Sequence, residues 1–522
     1  MRKMANKKMT CGVSFMTKRD NIDLSVKKPQ TKAIRALPAA LAKRHKVLPL
    51  QVTDGTLYVA TSDPSNVIAL DDIRLATGYN IRPVQADPDH IVAELTSFYG
   101  PLESIVQTSG QPEASMEPSL TADSTAFVSI GDIIASLFEQ AVEYRASDIH
   151  LEPNPKGGRA RFRIDGVLHP QIAFDRQIFT ALITALKVNA GMDIAQRLIP
   201  QDGRLEYTVK DEPIDVRVAS LPTTMGEKLV LRLLRKTDSI DDICKLRFTP
   251  GVHKNLVRFI NRSGGMILAT GPTGCGKTTT LYALIRSLNN IEQNIVTIED
   301  PVEYRLPGVN QVQINPKAGL TFASGLRSIL RQDPNIIMIG EIRDQETAEI
   351  AVRSALTGHL VLTTLHTNDA ASAITRLLDM GVEPYLLTSA LNGILSQRLV
   401  RSVCPHCSRL QRPDVQEKAV LANHGFGQLI RLRKGQGCPL CRYTGYWGRI
   451  PIAETLDATS DSIRTLVLAR STSKNIHQQA IDEGMVPLLK DGLLRASRGH
   501  TTVAEVIQAT GWLAEHNDFV NQ

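Results

Sequence analysis

The run Gly265–Thr270, GMILAT, passes directly into Gly271–Thr278, GPTGCGKT, and then into TTLYALIRSLNN. An apolar strand, a glycine loop and a helix in that order leave few folds open. The pattern G-x-x-x-x-G-K-[ST] is met in full by Gly271, Pro272, Thr273, Gly274, Cys275, Gly276, Lys277 and Thr278. Its glycines permit a loop whose backbone N–H groups point at phosphate. Lys277 supplies a positive charge for the β and γ phosphates, and the Thr278 hydroxyl is a ligand for Mg²⁺. The helix that follows adds a favourable dipole at its N-terminus. The expectation is an α/β fold that binds ATP with Mg²⁺.

Such a site needs carboxylates at the ends of neighbouring buried strands. NIIMIGEIRD supplies one: Ile336–Ile339 are continuously apolar, as in a central parallel strand, and Glu341 follows at the C-terminal end. The usual residue there is Asp, so Glu341 is an unusual variant. A second apolar run, NIVTIEDPVEY, ends in Glu299, Asp300 and Glu303, one of which is expected to polarise the attacking water. A third, GHLVLTTLHTN, ends at His366, a candidate sensor of the γ-phosphate.

The chain has 522 residues, enough for about three or four domains. No apolar run reaches the ~18 residues of a membrane-spanning helix. The first twenty residues carry charge but no apolar core, unlike a secretory signal, so a cytoplasmic location is expected. Residues 1–50 hold 13 Lys or Arg against Asp20 and Asp23, and the remainder is slightly acidic. A basic arm of this kind suits nucleic acid or anionic lipid, or is simply a solvated tail.

Patterning divides the chain further. Residues 1–32 read as a basic, disordered arm and 33–105 as a small α/β domain. The stretch 106–125 has little apolar content and no period, as a linker has. A second domain, 126–236, opens on an amphipathic helix and continues in alternating strands. The nucleotide domain is expected over 248–400, a cysteine-rich insert over 401–450, and a helical tail over 451–522.

Four of the seven cysteines form two C-x-x-C knuckles, Cys404/Cys407 and Cys438/Cys441, separated by 30 residues. Each knuckle can offer two thiolates to one tetrahedral Zn²⁺. With no ligand position left open, the metal is structural. His406 is the alternative ligand. The insert is basic but has few interleaved aromatics, which weighs against nucleic acid.

The motifs together resemble the type II secretion and type IV pilus assembly ATPases, the GspE/PulE/PilB group. The resemblance runs through SDIHLEP, RFRIDGVL, PQDGR, DVRVASLPT, GEKLVLRLL, the phosphate loop, TIEDPVEY, GLRSILRQDPNIIMIGEIRDQETAEIA and TGHLVLTTLHTN, covering about 126–400. VLPLQV, LYVATSDPSN and FYG extend it to the N-terminal domain. It implies a RecA-like ATPase domain preceded by a PAS-like α/β domain and a small N-terminal docking domain, with a zinc-binding insert. It implies a homo-hexamer on the cytoplasmic face of the inner membrane, coupled to a platform protein and acting indirectly on pilins or pseudopilins. Arg217 and Arg232 match the family's phosphate-facing arginines, brought in when the second domain closes. Arg327 and Arg331, one turn apart, are suited to nucleotide or subunit contact. The leucine- and glutamine-patterned repeat through which some relatives bind cyclic di-GMP is not found in residues 1–35. The tetracysteine insert favours assembly or secretion. The rival readings are a DNA-uptake or conjugative motor, and a nucleotide-dependent switch without sustained turnover.

Overall fold

In the computed structural model of the protein, the described residues are 29–99 (without 38–40, 43–44 and 54), 119–120, 129–235, 242–428 and 431–511. The basic arm lies outside them as far as residue 28. So does the 106–125 linker, apart from the two-residue strand at Ser119–Leu120.

The first unit is a three-stranded sheet of β1 (Val47–Thr53), β2 (Thr56–Thr61) and β3 (Asn80–Gln85). β1 and β2 pair antiparallel, while β2 and β3 run parallel through the crossover helix Val67–Thr77. That helix stops at Gly78 (φ +69°), whose left-handed backbone releases the chain into β3. Leu48, Leu50, Leu57, Val59, Ile73, Ile91 and Leu95 form its core.

A seven-stranded sheet follows. Its strands are β4 (Ser119–Leu120), β5 (Ala146–Asn154), β6 (Gly157–Ile164), β7 (Val167–Asp175), β8 (Gln201–Val209), β9 (Glu212–Thr223) and β10 (Gly226–Arg235). Their order is β4-β7-β6-β5-β10-β9-β8. Helices Ile130–Glu143 and Arg176–Asn189 pack their apolar stripes on one face, where Ile149, Leu151, Phe162, Val216, Val218 and Leu231 are buried. The first of these helices begins with a reciprocal capping box between Ser129 and Asp132. Alternation then dictates that the other face is charged.

The third unit is a second seven-stranded sheet. It comprises β11 (Gly265–Thr270), β12 (Ile295–Glu299), β13 (Asn310–Gln313), β14 (Ile336–Ile339), β15 (Leu360–Leu365), β16 (Leu391–Val403) and, after a small hairpin of β17 (Ser408–Gln411) and β18 (Leu432–Gly435), β19 (Tyr446–Asp457). The order β13-β12-β14-β15-β11-β16-β19 is parallel except for the last pair. β11, β12, β14 and β15 are buried along their whole length, which is why they read as unbroken apolar runs.

One expectation changes here. Residues 451–457 were expected to begin a helical tail, but they continue β19 and add an edge to the nucleotide sheet. Ile450, Ile452, Ala453 and Leu456 are all buried there. Pairing with β16 supplies the backbone partners of a short segment that mixes apolar residues with Glu454, Thr455 and Asp457, and tertiary context overrides local pattern. Helices resume at Asp461.

The cysteine element leans on the second domain. Arg442 stacks over Tyr144, with the guanidinium 2.7 Å from the ring centroid, and Arg145 stacks over Trp447 at 4.0 Å. The Gly448 N–H donates to Asp165 across the same joint at 2.9 Å. Each side thus lays an arginine on the other's aromatic ring, and the Arg145–Trp447 contact is worth about 0.5–2 kcal/mol.

Candidate nucleotide site and tetracysteine centre

Strand order builds the site. β12, β14, β15 and β11 are neighbours in that sequence, all parallel. Their C-terminal ends therefore deliver Glu299, Glu341, His366 and the phosphate loop to one rim, where ligands of open α/β sheets bind.

In the loop, Gly271, Gly274 and Gly276 have φ of +146°, +77° and +92°. A Cβ at Gly271 would stand 2.5 Å from the Gln397 carbonyl oxygen and 2.6 Å from Cys275 Sγ, so glycine is required. The helix Lys277–Leu288 starts immediately after. Lys277 is buried to 8 % exposure and donates to the carbonyls of Gly271 (2.7 Å) and Pro272 (3.1 Å). Burial lowers its pKa, and the nearby charge of Glu341 partly offsets this. The N–H-lined loop, one lysine and the Thr278 hydroxyl fit a polyphosphate with Mg²⁺.

Glu341 is set between His366, whose Nε2 lies 3.6 Å from its Oε2, and Arg343, which donates to its Oε1 at 2.5 Å. Burial, then the charge of Lys277, holds the His366 pKa below its usual value, which favours the neutral imidazole. Lys277, Glu341 and His366 form one electrostatic cluster.

Glu299 sits differently. It is 2 % exposed, and its carboxylate accepts from Thr297 (2.6 Å), Gln311 (3.1 Å) and the Tyr282 hydroxyl. Burial, followed by the Glu299 charge, drives the Tyr282 phenol pKa upward and keeps it a donor. The two other acids of this segment face outward. Arg343 lies 3.9 Å from Asp300, and Arg217 of the second domain lies 3.3 Å from Glu303.

Arg217 also donates to the Val302 carbonyl at 3.0 Å. It thereby joins the charged face of the second domain to the loop after β12. Arg232 lies directly opposite Arg217 in register, but its Nε donates to Asp148 at 3.0 Å within its own sheet. Arg204, on β8 in the PQDGR motif, is opposite Arg217 on the other side. Its place in this row follows from strand register, which no local pattern reveals. Arg327 pairs with Glu346, and Arg331 donates to the Arg327 carbonyl at 3.0 Å, so both are engaged within the ATPase domain.

The four cysteines converge. Their sulfurs all lie within 4.8 Å of one another. Sγ–Sγ separations are 3.9 Å (Cys404–Cys438), 3.7 Å (Cys407–Cys441) and 3.6 Å (Cys438–Cys441). A tetrahedron with Zn–S of ~2.3 Å has an edge of ~3.8 Å. The N–H groups of Cys438 and Gly445 point at Cys441 Sγ at 3.2 and 3.3 Å, favouring a thiolate. The donor set fits a closed, structural Zn²⁺ site. His406 is not part of the cluster.

A parallel sheet with a phosphate loop, a strand-end glutamate and a second domain reaching over the rim defines a P-loop ATPase. Residues 123–508 match the model of the type II/IV secretion system protein family, and residues 12–105 match the MshEN domain. The chain belongs to the type II/IV secretion system protein family. It is 43% identical over 493 residues to the type IV pilus assembly ATPase PilB of Thermus thermophilus, an alignment covering 92% of this chain and 55% of that one. This chain thus spans about half the length of that relative. It is 41% identical over 490 residues to type II secretion system protein E of Xanthomonas campestris pv. campestris, covering 91% and 85% of the two chains. The solved ATPase DotB of Legionella pneumophila shares the fold, with a TM-score of 0.56 at 20% identity over 76% of this chain and 99% of that one.

Proposed function

We propose that this chain is the ATP-hydrolysing motor of a type IV pilus assembly or type II secretion machine. The observation that carries this reading is Arg217 spanning from the second domain to Val302 and Glu303, beside the strand ends that hold the nucleotide site. Kinship to ATPases of both machines over more than nine-tenths of the chain supports it.

In this mechanism the phosphate loop and Lys277 hold the β and γ phosphates. Thr278 and Glu341 would hold Mg²⁺, which would supply charge stabilisation to the phosphoryl oxygens when bound. Glu341 orients the attacking water, with neutral His366 beside it. Glu299, fixed by Tyr282, Thr297 and Gln311, holds a negative charge at the neighbouring strand end. Arg217, with Arg232 behind it in register, completes the charge cradle when the second domain closes. Arg217→Ala is therefore expected to lower turnover by about 10³-fold while ATP binding changes little. A loss confined to affinity at unchanged saturating rate would make Arg217 a ground-state binder.

The working form is a homo-hexamer whose domain motion is transmitted to an inner-membrane platform protein, and through it to pilins or pseudopilins. Among the described residues no helix is long and apolar enough to cross a membrane. The N-terminal unit is the docking domain. A chain lacking residues 1–100 is expected to retain ATP turnover while failing to support pilus assembly or secretion in cells. The rival, a DNA motor, predicts a turnover rate that rises strongly with added DNA. Residues 51–522 carry no positive excess to form a DNA channel, which favours the protein machine.

A further inference from the structure

β16 runs beside the phosphate loop as the next strand after β11. Two consecutive polar residues at its middle, Gln397 and Arg398, are 1 % and 9 % exposed. A buried amide and a buried guanidinium in the interior of a sheet are costly unless every donor and acceptor has a partner. Where those partners lie is informative. The Gln397 side chain donates to the Cys275 carbonyl of the phosphate loop at 2.7 Å and accepts from Thr280 Oγ1, on the following helix, at 2.9 Å. Arg398 donates through Nη1 to the Gln397 carbonyl at 3.1 Å and through Nη2 to the Asn368 carbonyl at 2.7 Å. Asn368 is two residues beyond His366. Thr367 is tied in from the other side, with its hydroxyl 2.7 Å from the hydroxyl of Thr270, the last residue before the loop.

The two segments that must face the same γ-phosphate, residues 271–276 and 366–368, are thus cross-linked by neighbouring side chains of a third strand. Arg398 Nη1 and Nη2 both go to backbone carbonyls, with the charges of Glu454 and Asp369 nearby. A planar guanidinium holds two carbonyls at a fixed separation, which a flexible ammonium cannot do. The close approach of Gly271 to Gln397 O and to Arg398 Nη1, which a Cβ would meet at 2.5 and 3.0 Å, seats the loop against this pair.

We propose that Gln397 and Arg398 are positioning residues that set the distance between the phosphate loop and the His366 strand end, and so the geometry of hydrolysis rather than nucleotide affinity. The proposal rests on the nucleotide-site reading above. It adds two residues, from the run LSQRLV, that act through the loop and the strand end they hold.

The test uses the full-length chain with Arg398→Lys and Gln397→Met, and Lys277→Ala as a reference. Misplacement of reacting groups by about 1 Å costs on the order of 10²-fold. Both brace variants are expected to lose about 10- to 100-fold in kcat, with KM and ADP affinity within about threefold of the parent. Lysine should not rescue Arg398, although it keeps the charge. Hydrogen exchange should speed up in 271–276 and 366–369 and be unchanged in β1–β3. The brace is overturned if Arg398→Lys turns over normally, if either variant raises KM with kcat intact, or if Gln397→Met keeps full activity or fails to fold. Turnover by Lys277→Ala would instead remove the nucleotide-site reading itself. A silent Lys277→Ala beside a fully active Arg398→Lys would remove only the brace.

Discussion

Lys277→Ala is expected to abolish ATP turnover, and Glu341→Gln to abolish it while leaving ATP bound. Lys277 is the one ammonium inside the phosphate loop, buried against the carbonyls of Gly271 and Pro272. Truncation removes the charge that phosphate oxygens meet in a site of low polarity, where electrostatic stabilisation is usually the largest catalytic contribution. Glu341 stands at the next strand end but one, coupled to both Lys277 and His366. Glutamine preserves its size while losing the charge needed to orient water and hold Mg²⁺. A fall of about 10³-fold or more in phosphate release is expected for each. Equilibrium ATP binding separates the two: weak for Lys277→Ala and near-normal for Glu341→Gln. Turnover of either purified variant at parental rate would reject the site.

The second large effect concerns the metal. Purified protein should carry about one Zn²⁺ per chain, and Cys441→Ser should remove it. Cys441 is the ligand to choose because its sulfur accepts two backbone N–H groups and neighbours both Cys407 and Cys438. Small zinc elements derive much of their folding free energy from the ion, with apparent binding of about 10–16 kcal/mol in zinc-finger peptides. The cysteine cluster has little apolar core of its own beyond the four sulfurs. Loss of the ion should therefore loosen the two knuckles and free Arg442 and Trp447 from Tyr144 and Arg145, while Val420, Leu421 and Leu432 stay packed with the C-terminal helices. Elemental analysis, with limited proteolysis across 404–447, reads both steps. Metal-free protein with that segment still protease-resistant would dismiss the structural role.

Much of the ATPase domain was legible because its signals are local. The phosphate loop is eight contiguous residues, and its flanking strand and helix confirm it. Buried parallel strands leave unbroken apolar runs, so β12, β14 and β15 announce themselves and their polar ends. The knuckles carry their spacing in the sequence. Residues 451–457 misled because PIAETLD, seven residues of mixed apolar and polar character, fits a helix start or a strand equally well.

The sequence by itself determined the phosphate loop and the charged groups that follow its apolar strands, since motif and period need only neighbours along the chain. It also determined the family. Only the tertiary structure decided which of those groups meet. Strand order, set by long-range pairing, placed Glu341 and His366 beside Lys277, and turned Glu299 inward onto Tyr282, Thr297 and Gln311. Register placed Arg204 and Arg232 on either side of Arg217 and gave Arg232 to Asp148. Burial of β16 sent the Gln397 side chain to the Cys275 carbonyl and the Thr280 hydroxyl, and Arg398 to the carbonyls of Gln397 and Asn368. A one-residue change in pairing would move each of these side chains to the opposite face, and nothing in the local sequence reports that choice.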